Sequence, residues 1–217
     1  MFRDRTEAGK KLAGKLAAYR GEQAVVLGLP RGGVVVAYEV ARELRLPLDI
    51  IAVRKIGHPT NPEYAVGVVD ARGTTIMNEA ETSTIDARWL AREIAREQEE
   101  AERRARVYRG ASKPLSLKGK IVILVDDGIA TGLTMRLAVR SAREQGARKV
   151  IVAVPVAPAD AIHALTKEGA DELIVLEPPE EFMGAVGSHY ARFDQVEDER
   201  VIKLLKERHE GTYAVGN

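Results

Sequence analysis

The ten residues "ILVDDGIATG" (123–132) hold the chain's densest concentration of reactive chemistry. An apolar run, 121–125, ends in two adjacent carboxylates, Asp126 and Asp127, and a turn of small residues follows. A helix is expected to begin about four residues later. Its first turn offers N–H groups without partners and a partial positive charge, a natural seat for a phosphate. Gly128 and Gly132 let the backbone curl around an anion, and Thr131 and Thr134 add hydroxyl donors. Carboxylates repel phosphate, so Asp126 and Asp127 must face something else. Neutral sugar hydroxyls and a hydrated Mg²⁺ are the two obvious partners. The combination suggests a ligand with a phosphate at one end and a ribose beside it. The plainer alternative is a turn with a helix cap.

Two other segments carry residues suited to anions. "GLPRGG" (28–33) follows a predicted strand; its glycines allow close backbone approach, and Arg31 brings a positive charge. It is neither a P-loop, which needs Gly-Lys-Ser/Thr, nor a dinucleotide fingerprint, which needs G-x-G-x-x-G. In "VRKIGHPTNPEYAVG" (53–67), Arg54 and Lys55 end a predicted strand at the same edge of the sheet. His163 and His209 lie on predicted helices without metal-ligand company, and no cluster has the spacing of a zinc site.

The elements that must position these residues alternate in kind. Helical periodicity covers Thr6 to Tyr19, 34–45, Ser83 to Arg109, the stretch after Gly132 to about Glu144, and 158–169. Apolar runs at 24–29, 48–55, 121–125, 149–156 and 172–177 read as strands. Residues 64–70 and 74–79 suggest two short strands about a turn at Gly73, and 56–63 suggests a Pro-rich loop. Ser83 and Asp86 are spaced like a capping pair, and "REQEEAERRAR" reads as a solvated helix face. Strands that are nearly continuous apolar runs, alternating with helices, predict an α/β fold. Its central sheet is mostly parallel and helices flank it. From Pro178 the alternation stops, which predicts a small cap or subunit contact at 178–217, joined by the N-terminal segment, on a single domain with its core at about 24–177.

With 217 residues, a net charge of +1 and no cysteine, the chain has the composition of an ordinary globular protein. Thiolate metal sites and cysteine nucleophiles are excluded, and the charge argues against nucleic acid as the main partner. Neither a signal peptide nor a membrane span is visible, so a cytoplasmic location is the expectation.

"VILVDDGIATGLT" (122–134) resembles the phosphoribosyl-pyrophosphate (PRPP) signature of type I phosphoribosyltransferases, in a form close to that of adenine phosphoribosyltransferases. The resemblance covers about Ala24 to Glu177. It is most similar to the bacterial and archaeal predicted phosphoribosyltransferases, and "FMGAVGSHYARFDQV" (182–196) is similar to their C-terminal pattern. The resemblance implies the type I phosphoribosyltransferase fold with a small C-terminal hood. It implies that Asp126 and Asp127 hold the ribose 2′- and 3′-hydroxyls, with Mg²⁺ as cofactor held through water or those hydroxyls. Gly128, Ile129, Ala130, Thr131, Gly132, Leu133 and Thr134 would form the 5′-phosphate loop. Pro30, Arg31, Gly32 and Gly33 would form the pyrophosphate loop, with a cis peptide at Pro30–Arg31. Arg54 and Lys55 would help neutralise the leaving pyrophosphate. The loop after them would be the mobile catalytic loop, with His58 and Glu63 in it. Hypoxanthine-guanine enzymes carry an acid at the position of Ala130; its absence here leaves Glu63 as the candidate to assist proton transfer. Phe182, Tyr190 and Phe193 in the hood are candidates to stack on the base, with packing as the competing role, and His189 could hydrogen-bond it.

The implied activity is transfer of the phosphoribosyl group from PRPP to a nitrogenous base, and the family carries with it the expectation of a homodimer. The alternative is a non-catalytic PRPP- or nucleotide-sensing regulator on the same fold. A sugar-phosphate hydrolase fits less well, because aspartyl phosphatases need D-x-D after the strand.

Overall fold

The computed structural model describes the backbone of residues 1–213 and side chains through Arg208; residues 214–217 of the expected cap, and the side chain of His209, lie outside the described residues. In chain order the elements are α1 (Arg5–Lys15), β1 (Ala24–Gly28), α2 (Gly32–Leu44), β2 (Leu48–Ile50), β3 (Val53–His58), β4 (Asn61–Asp70) and β5 (Thr75–Met77). There follow α3 (Glu79–Thr82), α4 (Ala87–Arg109), β6 (Ile121–Val125), α5 (Leu133–Glu144), β7 (Lys149–Val154), α6 (Ala159–Glu168), β8 (Glu172–Val175) and α7 (Asp198–Tyr213).

Five strands form the expected parallel sheet, in the order β2-β1-β6-β7-β8. Side chains alternate between its faces. Val26, Ile123 and Ile151 pack with Leu12, Val40, Leu44 and Leu204 on one side. Val25, Leu27, Val122, Leu124 and Val152 pack with Met135, Val139 and Leu165 on the other. Burial on both faces explains the continuous apolar runs, each large side chain contributing about 1.5–3 kcal/mol. The register sets Gly28 level with Ile50 and with Val125, so β1, β2 and β6 all end at one edge. The loops after β1 and β6 therefore leave the sheet side by side.

Three expectations need correction. The single strand at 48–55 is two: β2 ends at Ile50 in the parallel sheet, and β3 starts a second, antiparallel sheet, β3-β4-β5. The loop expected at 56–63 is the end of a hairpin, because β3 pairs with β4 out to His58↔Asn61, through register shifts around Gly57. Apolar content alone does not reveal that a chain changes sheets within two residues. The helix expected from Ser83 starts instead at Ala87, where the Asp86 side chain accepts the Trp89 N–H at 2.8 Å. Ser83 closes the short α3 instead, its hydroxyl donating to the Ala80 carbonyl.

Along α4 the charged face is laced by Glu–Arg pairs three and four residues apart, such as Glu100 with Arg103 and Arg104. Ile85 before it and Leu90 and Ile94 within it cover Ile56, Val66 and Val69 of the hairpin. The C-terminal segment divides. Residues 189–192 pair with the first residues of the chain, through Phe2 N–H to the His189 carbonyl and Ala191 N–H to the Phe2 carbonyl. Helix α7 instead returns to the main core, where Val201, Leu204 and Leu205 are buried. Among the described residues no helix is long and apolar enough to cross a membrane.

Candidate active site

The loops after β1 and β6 touch. A Cβ added at Gly32 would stand 2.0 Å from Asp127 Oδ2, and one at Gly33 would stand 2.6 Å from Asp126 Oδ1. Real Cβ atoms do not approach so closely, so only glycine lets the start of α2 lie against the acidic pair. The peptide bond between Pro30 and Arg31 is cis, where the resemblance placed it. Helix α2 starts at Gly32 and α5 at Leu133, and neither has a side chain capping its first turn. Two helix N-termini with open N–H groups thus flank the carboxylates. Gly132 turns the chain into α5 with φ +80°, a left-handed value that suits glycine. Ile129 is buried and its N–H bonds the Val156 carbonyl, while Ala130 and Thr131 lie at the surface.

The two carboxylates differ. Asp126 Oδ1 accepts the Asp127 N–H at 2.8 Å. Burial, and then the neighbouring Asp127 charge, push the Asp126 pKa well above the usual carboxylate range. Asp127 Oδ2 is paired with Arg5 Nε at 2.7 Å, and both side chains are largely buried. The Asp127 carbonyl accepts the Tyr190 hydroxyl at 2.6 Å. Burial, then the Asp127 charge, raise the Tyr190 pKa, which keeps the phenol a neutral donor. Among the described residues no group of three acidic or histidine side chains could cage a metal.

The remaining expected site residues separate. Arg54 and Lys55 are consecutive on β3 and point to opposite faces. Arg54 Nε bonds the buried carboxylate of Glu97 on α4 at 2.8 Å. Lys55 lies opposite Val68, whose face of the hairpin packs with Leu133 at the start of α5. Lys55 is exposed. Arg31 leans toward Glu197 and Asp198, at 3.5 and 3.7 Å. Glu63 and Tyr64 are exposed near the hairpin tip, where the Tyr64 hydroxyl bonds Glu81. His58 Nδ1 is engaged by Thr60.

In the hood, Tyr190 is no open stacking platform. Its ring packs between Phe2 and Phe193, with centroids 5.5 and 5.0 Å away, and its hydroxyl is spent on Asp127. Phe182 stacks on His189 at 5.4 Å and stays partly exposed. His189 is buried, with Nδ1 on Glu177 at 2.5 Å and Nε2 accepting the Met183 N–H, so neither ring nitrogen is open to a ligand. A hollow of about 420 Å³ lies beside Arg5, between Val35 of α2 and residues 192–197. A second cavity, of about 310 Å³, sits between the hairpin base and α4 and includes none of the acidic-loop residues. Sequence reasoning missed Arg5, Glu97 and Glu177, whose partners lie 122, 43 and 12 residues away.

Residues 4–187 match the family model described as phosphoribosyl transferase domain. The chain is 42% identical over 211 residues to Rv0571c of Mycobacterium tuberculosis (strain ATCC 25618 / H37Rv), a protein named provisionally as a phosphoribosyl transferase. That match covers 96% of this chain and 47% of the relative, so the chain spans about half the length of the curated relatives it matches. A shorter match, 48% identical over 61 residues, covers 28% of this chain and 19% of the ribose-phosphate pyrophosphokinase of Sulfurisphaera tokodaii. Among solved structures, the TT1426 protein from Thermus thermophilus superposes with a TM-score of 0.80 at 46% identity, covering 95% of this chain and 98% of that one.

Proposed function

The chain belongs to the phosphoribosyl transferase domain family, and from that premise we propose that it transfers the 5-phosphoribosyl group of PRPP to a nitrogenous base. The observation that carries this reading is the contact between Gly32 and Gly33 and the carboxylates of Asp127 and Asp126. It supports the reading by setting the open helix start at Gly32 against both carboxylates, which lie just before the open start of α5.

In the reaction the C1′–O bond to pyrophosphate breaks, a C1′–N bond to the base forms, and the proton of the base passes to solvent. The N–H groups of Gly32 and Gly33 receive the departing pyrophosphate; those of residues 130–134 hold the 5′-phosphate, with the Thr131 and Thr134 hydroxyls. Asp126 and Asp127 grip the ribose hydroxyls and so orient C1′. Lys55 is the hairpin cation open to an approaching leaving group, because it is exposed while Arg54 is paired with Glu97. Asp126 and Asp127 would hold a Mg²⁺ through water or the ribose hydroxyls, the kind of oxygen-rich setting that ion takes. When bound, the ion would neutralise charge building on the pyrophosphate oxygens.

Binding should be measured before turnover, since an assay with the wrong base reads as inactivity. PRPP with Mg²⁺ at a hundredfold its dissociation constant stabilises by about 2.7 kcal/mol, which raises the midpoint by about 5–10 °C for a chain of this size. That shift should vanish in the Asp126→Asn, Asp127→Asn double variant, and pyrophosphate release with a panel of purines and pyrimidines then finds the base. No shift at millimolar PRPP would end the transferase reading.

A further inference from the structure

An acidic residue in contact with an anion-binding loop is an electrostatic conflict. Asp127 Oδ2 lies 2.0 Å from where a Cβ of Gly32 would be, against the loop proposed to receive pyrophosphate. One cation resolves the conflict. Arg5 Nε bonds that same oxygen at 2.7 Å and lies 2.9 Å from the Cβ position of Gly32. Its side chain is fixed from two other directions as well. Nη1 donates to the Asp194 carbonyl at 2.8 Å, and the guanidinium lies 3.8 Å from the centre of the Phe193 ring. The other candidate cations are engaged elsewhere or exposed: Arg31 faces Glu197 and Asp198, Arg54 is bound to Glu97, and Lys55 stands on the hairpin. The ion pair engages Oδ2 of Asp127, which leaves Oδ1 for a ribose hydroxyl.

We infer that Arg5 is a positioning residue for the proposed reaction, neutralising Asp127 at its contact with the Gly32 loop so that pyrophosphate and a sugar-binding carboxylate occupy adjoining places, a role that rests on the phosphoribosyl-transfer reading above. Arg5 sets the affinity for the pyrophosphate end of the substrate without touching the reacting carbon. It also ties the hood to the site, because the same guanidinium is held by Phe193 and Asp194.

A structural pin would make the same contacts, so the test must separate charge from packing. Inorganic pyrophosphate with Mg²⁺ is titrated calorimetrically into the wild type, Arg5→Ala, Arg5→Lys, Asp127→Asn and the Arg5→Ala, Asp127→Asn pair, with thermal unfolding of each and a parallel PRPP titration of the wild type. Loss of the Arg5 charge should weaken pyrophosphate by about tenfold or more, and Arg5→Lys should recover most of it. In the Asp127→Asn background, with no charge left to neutralise, Arg5→Ala should cost less than about threefold. Should Arg5→Ala fail to fold, Arg5→Gln takes its place in both backgrounds. Equal costs in the two backgrounds, or a lowered melting point with pyrophosphate affinity unchanged, would make Arg5 a pin and overturn the inference while leaving the transferase reading intact. A wild type that binds neither pyrophosphate nor PRPP overturns both.

Discussion

The edge where β1 and β6 end and the hairpin of β3 and β4 both carry charged residues beside glycines, yet they are built on opposite terms. At the edge, Gly32 and Gly33 lie so close to Asp127 and Asp126 that no side chain fits, and every residue of β1 and β6 is buried. Over residues 61–64 of the hairpin, all four side chains are exposed. Two buried strands in fixed register can hold carboxylates and backbone N–H groups in tight, repeatable positions. An exposed hairpin end can only present residues to solvent or to an arriving ligand. Close placement comes from the sheet, and adaptability from the hairpin.

The largest effect that can test this contrast is expected at Gly32. A methyl group there meets Asp127 Oδ2, so Gly32→Ala must displace either the acidic pair or the start of α2. Loss of about a hundredfold or more in PRPP affinity is expected by titration, since misplacement of about 1 Å at a positioned site costs that much. Near-normal affinity would show that the edge is as adaptable as the hairpin. Next comes Tyr190→Phe, which leaves the Asp127 carbonyl without its hydroxyl partner. A partly buried acceptor so orphaned costs about 1 kcal/mol or more, readable in urea unfolding.

A smaller effect concerns pH. Burial and Asp127 raise the Asp126 pKa in the folded protein, so the folded state holds this proton more tightly than the unfolded one. Stability of the ligand-free protein should therefore fall as pH rises from the ordinary Asp value, about 3.9, toward the raised one. Asp126→Asn should flatten that part of the profile while keeping the hydrogen bond from the Asp127 N–H; an unchanged slope would place the proton elsewhere. The smallest effect is expected at Glu63. Glu63→Gln should move the unfolding free energy by no more than about 0.5 kcal/mol, as at other exposed sites. Turnover, once the base is known, should fall while PRPP affinity stays nearly intact, as expected of a group that assists proton transfer. Equal turnover at unchanged stability would remove Glu63 from the mechanism and leave the hairpin end without catalytic weight.

Legibility followed the same divide. The parallel sheet was readable because burial on both faces leaves unbroken apolar runs, such as 121–125. The hairpin was not, because Val53 to His58 mixes apolar, basic and glycine residues with no clean alternation, and its pairing passes through register shifts. Within the site, the anion loops were visible as local spacings of glycine, threonine and acid. The fates of Arg54 and Lys55 were not, since adjacent basic residues look alike until a strand sends one to Glu97 and the other to the opposite face.

The strand-turn-helix units, and the two loops that open their helices, follow from the chain alone, because they depend on residues within one or two turns of each other. Packing in three dimensions was needed to bring the loops together at Gly32 and Asp127, to set Tyr190 under the acidic pair rather than as a free ring, and to bring Arg5 in as its counter-charge. Burial patterns and turn propensities are local and leave periodic marks in a chain. An ion pair between residues 122 positions apart leaves none, because its energy depends on a separation in space that only the packed sheet and hood create.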